Sequence, residues 1–143
     1  MPTSRTLTVL VAALMGCADP PHARFDARWV PFFVTTAGAG AYDSTRLRFR
    51  GDTAEVWMRF QHATPMPLPT DSTDSYTLVQ AAANVHCASE QIQDIRMMVG
   101  RPDADSLGGY TNDTLVWAPF SGHAMPGWVL SGLCAALSGR GGT

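Results

Sequence analysis

Arg46–Phe60 reads RLRFRGDTAEVWMRF. Two runs of alternating apolar and polar residues flank Gly51-Asp52, and a Gly-Asp pair in that position is a two-residue hairpin loop. With Arg50 opposite Thr53, Leu47, Phe49, Ala54, Val56, Met58 and Phe60 share one face, and Arg46, Arg48, Arg50, Thr53, Glu55, Trp57 and Arg59 share the other. The same register sets Arg48 across from Glu55 as an ion pair and Arg46 across from Trp57 as a cation–π pair. The stretch therefore predicts an antiparallel hairpin with one apolar face and one arginine-rich face. A solvated sheet face is the plainer reading of the arginines. Even so, Arg46, Arg48, Arg50, Trp57 and Arg59 make the best candidate binding surface on the chain. Arg50-Gly51-Asp52 is also a tripeptide that animal matrix proteins present to receptors. Glycine and aspartate are what the turn itself demands, so turn chemistry is the first reading and recognition the second.

On the N-terminal side, RWVPFFVTT predicts a strand with Val30, Phe32 and Val34 on one side, and Pro31 places it at a sheet edge, where a missing N–H costs little. AGAGAYDST breaks it with two glycines. On the C-terminal side, Gln61–Ser75 is rich in Pro, Ser and Thr and reads as a long exposed loop. YTLVQAAANVHC alternates again, with Val79, Ala81, Ala83, Val85 and Cys87 on one face, where the small alanines leave room for close packing. Ile95, Met97 and Val99 form a further inward row, and a last strand is predicted around Leu115–Trp117. The period then changes: Leu130, Leu133, Cys134 and Leu137 lie on one stripe of a helix, with Pro126 in its first turn. The fold class is thus α+β, an antiparallel sheet of about six strands with one C-terminal helix packed on it.

At 143 residues the chain is the size of one domain, and 45% hydrophobic with 15% charged residues is ordinary globular composition. A net charge of −2 gives no reason to expect nucleic acid as a partner. All ten basic residues are arginine, which excludes lysine-based Schiff-base or P-loop chemistry. The N-terminus, MPTSRTLTVLVAALMGCADPP, carries Arg5, an apolar run from Leu7 to Met15 and then small residues, the pattern of an export signal; the run is too short to span a bilayer. Leu14-Met15-Gly16-Cys17 resembles the lipobox of bacterial lipoproteins, in which the cysteine is lipidated; ordinary secretion with cleavage after Ala18 is the alternative. The expected organisation is a signal peptide over 1–16, a tether over 17–27, a folded domain over 28–138 and a disordered tail over 139–143. In an exported chain Cys87 and Cys134 are expected to pair, pinning the helix across the sheet; two unpaired buried cysteines are the alternative.

In order and spacing these landmarks resemble the surface-adhesin protein E family of bacterial lipoproteins. The resemblance rests on Trp29 opening the first strand, Tyr42-Asp43 before the hairpin, Val56-Trp57 within it, Cys87, Trp117 with Pro119 close behind, and Cys134 near the end. It implies an antiparallel sheet with a C-terminal helix held by the disulfide, and an outer-membrane lipoprotein that adheres to host matrix proteins such as vitronectin and laminin, with dimers known. The family's binding segments carry no motif that this sequence matches.

Other chemistry is sparse. DADSLGGYTNDT, from Asp103, places Asp103, Asp105 and Gly108 as in a calcium loop, but Leu107 and Thr114 occupy the fifth and twelfth ligand positions, so a polar loop is the better reading. His22, His62, His86 and His123 lack metal-ligand spacing, and only Glu55 and Glu90 are glutamates. No enzyme, metal or cofactor is expected. The leading expectation is a cell-envelope binding module, membrane-anchored at Cys17, with extracellular or envelope proteins as partners and a homodimer as one arrangement. A periplasm-facing structural lipoprotein and a small-ligand carrier are the alternatives.

Overall fold

The computed structural model describes residues 28–101 and 106–140. The expected signal peptide and the whole tether over 17–27, Cys17 included, lie outside the described residues, as do 103–105 of the calcium-like loop and 141–143 of the tail.

The strands are β1 (Trp29–Thr35), β2 (Gly38–Asp43), β3 (Arg48–Arg50), β4 (Thr53–Pro67), β5 (Ser75–His86), β6 (Gln91–Gly100), β7 (Gly108–Thr111) and β8 (Ala118–Pro119), followed by helix α1 (Gly127–Ser138). All pair antiparallel in one sheet ordered β1-β2-β4-β5-β6-β7, with β3 added to β4 and β8 to β6. The expected class holds, with eight strands in place of about six. The hairpin register is the one the alternation dictates: Arg48↔Glu55, Phe49↔Ala54 and Arg50↔Thr53, with Gly51 at φ +60° in the turn.

The core lies between one sheet face and α1. Tyr42, Val56, Met58, Ala81, Ala83, Val85 and Ile92 meet Leu130, Leu133 and Leu137 of the helix. The apolar stripe of α1 is therefore the buried one, and Pro126 stands at its N-cap, where the missing N–H costs nothing. Cys87 and Cys134 are bonded across the core, with Cα atoms 5.7 Å apart and a sequence separation of 47. Closing a loop of that length stabilises the fold by about 4 kcal/mol on the chain-entropy account. Cys87 sits in a 3-10 turn, Cys87–Ser89, just past β5 rather than within the strand.

Several sequence expectations are corrected. Ala37–Thr45 does not end the sheet: Gly38–Asp43 is a buried strand between β1 and β4. Its glycines permit close approach, since a Cβ at Gly38 would strike the backbone carbonyl of Gln61 and one at Gly40 the ring of Phe33. Val34 of the expected inward row is 51% exposed because the β1 register shifts between Pro31 and Phe33. Gln61–Pro67 is not loop but the outer end of β4, paired through Met66↔Tyr76 and Pro67↔Ser75 past a register shift that accommodates the prolines. Only residues 68–74 connect β4 to β5, and Arg101 clamps the bend at 2.7 Å from Asp74. In β6 a bulge falls at Ile95, between the pairs Ala83↔Asp94 and Ala82↔Arg96. It reverses the alternation, so Ile92 is the fully buried residue while Met97 and Val99 pair with Ala81 and Val79. Leu115–Trp117 is exposed and not a strand; β7 and β8 flank it along β6. Phe49, expected on the inward face, is 44% exposed at the sheet's end.

Two glycines test this account. Gly38→Ala should destabilise the domain by about 1–3 kcal/mol, because the β2–β4 backbones must separate. Gly132→Ala, whose Cβ would make ordinary contact 3.5 Å from the Phe32 carbonyl, should stabilise it by up to about 1 kcal/mol through helix propensity. Urea unfolding of both variants reads the opposite signs.

Candidate functional site

The register leaves two surfaces with distinct chemistry on opposite faces of the sheet. On the face away from α1, the jog between β2 and β3 is set by Asp43. Its Oδ1 accepts from the Thr45 amide at 2.9 Å and the Thr45 hydroxyl at 2.6 Å. This turn brings the Arg46 guanidinium 4.2 Å above the Trp57 ring, the cation–π pair the sequence predicts. Beside it, Trp29 is covered by Arg59 at 5.0 Å and Arg28 at 5.5 Å. Trp29 is 8% exposed and Asp43 2%, although both belong to the outer face: the arginines roof them over. Trp29 Nε1 and Arg59 Nε are buried with no hydrogen-bond acceptor, so packing and cation–π attraction hold this stack.

Across the sheet, Trp57, Ala82 and Arg96 form one row, which brings Arg96 onto the same face as Arg46, Arg48, Arg50 and Arg59. The structure therefore assembles the five residues of the predicted surface and adds Arg28, Trp29 and Arg96. The expected Arg48–Glu55 ion pair does not close: the two are register partners, but no ion pair joins them among the described residues. Nor does a carboxylate come within ion-pair distance of Arg46, Arg50, Arg59 or Arg96 among the described residues. Arg28 stands 3.9 Å from Asp43. Arg50, Gly51 and Asp52 are exposed at the hairpin tip, beside rather than within the tryptophan stacks.

On the inner face the helix is too short for the sheet. Its 12 residues run about 18 Å, whereas the 15 residues of β4 run about 50 Å. Beyond the helix N-terminus the uncovered part of this face forms a groove of about 420 Å³. Phe33, Phe60, Val79, Met97 and Trp128 give it an apolar lining. Trp128 is 57% exposed and packs edge-on against Phe33, with ring centroids 5.2 Å apart. Polar groups stand at its rim. The His62 and Tyr76 rings are 5.8 Å apart, and burial lowers the His62 pKa from its ordinary 6.5. His123 Nδ1 accepts from the Met125 amide at 3.0 Å, which leaves Nε2 to donate to Asp94 Oδ2 at 2.8 Å. His123 is thus a satisfied histidine. The reading of Gln61–Ser75 as loop conceals His62, and the inward placement of Asp94 follows only from the Ile95 bulge.

No three His, Cys, Asp or Glu side chains gather as a metal site among the described residues. No described helix is long and apolar enough to cross a membrane.

No family model and no curated protein matches the sequence. Among solved structures, two of protein E from Haemophilus influenzae, one of them from a non-typeable strain, share the architecture. Each has a TM-score of 0.50 and 8% identity, with 85% and 84% of this chain aligned to 84% and 91% of theirs. The chain has a protein E-like fold. At 8% identity the likeness extends to the fold alone, and it agrees with the sheet, helix and disulfide that the sequence resemblance implies.

Within this protein E-like fold, Asp43 ties the outer face to pH. Burial alone would raise its pKa; the side-chain and backbone hydrogen bonds from Thr45, together with Arg28 and Arg46, outweigh that and hold it below the ordinary 3.8. A lowered carboxyl pKa contributes stability above the unfolded value, near 3.9, that is lost as pH falls through the folded one. Asp43→Asn should cost about 2 kcal/mol at pH 7 and flatten the decline of stability below about pH 4, as read by urea unfolding across that range.

Proposed function

We propose that the chain is an exported, lipid-anchored binding module of the bacterial cell envelope, adhesin-like and without catalysis of its own. The observation that carries this reading is the outer face, where Arg46 and Arg59, with no carboxylate within ion-pair distance among the described residues, are held in place over tryptophans. Long cationic side chains are ordinarily mobile, so a stack that fixes their heads prepares a surface for a partner at reduced entropic cost. Cys17 supplies the anchor, Cys87–Cys134 suits an oxidising compartment, and the protein E-like fold supports the envelope setting. The partner is an extracellular-matrix or envelope component. Arg50-Gly51-Asp52 acts as a register-setting turn and not as a receptor-binding tripeptide.

Protease shaving of intact cells, with a periplasmic protein as leakage control, tests the placement. Loss of the chain while the control survives is the expected outcome; protection until the outer membrane is opened would overturn the adhesin reading. Asp52→Glu should leave both cell attachment and thermal stability unchanged.

The groove favours a second reading, a carrier of a small amphiphile: its volume lies in the range of ligand pockets, and an apolar lining with a few polar groups at the rim is their usual chemistry. A carrier should release an apolar compound on solvent extraction of the chain purified from envelopes. Trp128→Ala should reduce the amount recovered, and an empty extract from folded protein would count against this reading.

A further inference from the structure

The outer face also limits what its partner can be. Arg28, Arg46, Arg48, Arg50, Arg59 and Arg96 are set, among the described residues, against two carboxylates on that face, Glu55 and the buried Asp43. This is a cationic patch on a chain whose net charge is −2. Sheet geometry spaces it: successive outward positions along a strand lie about 7 Å apart and neighbouring strands about 4.8 Å. The guanidiniums therefore form a two-dimensional array and not one pocket. Such an array matches a ligand with repeated anionic groups, and guanidinium presents its donors in a fork suited to oxyanions.

Two features choose among polyanions. Trp29 is buried beneath Arg28 and Arg59, and Trp57 lies under Arg46, so their rings are not free to stack on nucleobases, the contact that single-strand binding uses. The exposed Trp128 packs against Phe33 at the groove on the opposite face, and Trp117, 39% exposed, packs edge-on against His86 at the end of the sheet and not among the arginines, so a lipid surface would meet the array with no indole inserting between the guanidiniums. Resting on the binding-module reading above, we propose that the arginine–tryptophan face binds an acidic polysaccharide bearing sulfate groups. The sulfates engage Arg46, Arg48, Arg50, Arg59 and Arg96, while the stacked tryptophans hold the array flat.

The test uses the full chain, purified from envelopes in non-ionic detergent, with a heparin octasaccharide as probe in titration calorimetry. Binding through four or five contacts should weaken about 100-fold between 50 and 200 mM salt, by counter-ion release. The triple variant Arg48→Gln/Arg50→Gln/Arg96→Gln removes exposed, unstacked side chains, so it should keep the wild-type unfolding curve. Its binding should fall at least tenfold, with a salt dependence shallower by roughly 2–3 in log–log slope. The control Arg101→Gln/Arg140→Gln, off this face, should bind as wild type. The proposal is overturned by no binding at 50 mM salt, by equal binding of the fully desulfated octasaccharide, by indifference to the triple variant, or by stronger binding of duplex DNA or anionic vesicles. If heparin binding is absent but the triple variant still reduces cell attachment, the binding-module reading stands with a different partner. If the variant changes neither, both fall.

Discussion

The turn at Gly51-Asp52 fixes the register of β4, and the rest of the molecule follows from that register. β4 is the strand to which β2, β3 and β5 all pair, so its alternation assigns every neighbouring row to a face. With Arg50 opposite Thr53, Val56 and Met58 point to the helix and Trp57 and Arg59 point away. A slip of one residue would put arginines against Leu130 and Leu133 and leave the apolar row in water. The positive φ of Gly51 makes the two-residue turn accessible without strain, and in this way a local backbone preference sets a global partition of charge.

From that partition come two surfaces that do not compete. The helix covers one end of the inner face and the disulfide ties it there; its limited length leaves the other end as an apolar groove. On the outer face the same strands carry arginines whose hydrocarbon stems and guanidinium planes cover Trp29 and Trp57. The outer face thereby becomes a second, thin packed layer, which explains why Trp29, Ala41 and Ala82 are buried there without any helix above them. Buried Asp43 belongs to this layer as well as to the backbone: it shapes the jog that aims Arg46 and places one negative charge near Arg28.

Where one residue's neighbours in sequence determine its face, the sequence was a sufficient guide. The Arg46–Phe60 hairpin, the Val79–Val85 row and the Leu130–Leu137 stripe all lie as their periods require. Cation–π pairing of Arg46 with Trp57 is legible for the same reason, since the register set by the turn carries Arg46 across from Trp57. The failures occur where a strand breaks its own period. Bulges at Ile95, between Pro31 and Phe33, and between Gln61 and Met66 each insert residues with no local signal that distinguishes them from loop or continued strand. Gly38 and Gly40 look like punctuation by composition. They are strand residues because a neighbouring backbone and the Phe33 ring occupy the space a Cβ would take, a tertiary fact with no trace in periodicity. The groove is hidden for the same reason, since the composition of Gln61–Ser75 reads as loop and takes His62 out of the sheet.

The arginine surface shows how composition alone can mislead about charge. A chain at net −2 reads as indifferent to anions, yet the fold gathers six arginines on one face with only Glu55 and the buried Asp43 beside them among the described residues, while Asp94 stands beside His123 and Asp74 beside Arg101. Guanidiniums such as those of Arg46 and Arg59, without carboxylate partners among the described residues of a protein that has carboxylates available, are not a default outcome, because rotamer freedom and Coulomb attraction would pair exposed charges readily where geometry allowed. Stacking over indole is what withholds Arg46 and Arg59 from such pairing. The cost of holding cations together falls on the fold itself, in like-charge repulsion that a polyanion would relieve. A partner of that chemistry would therefore add its contacts to a surface already rigid, and its binding would be coupled to the stability of the sheet that presents it.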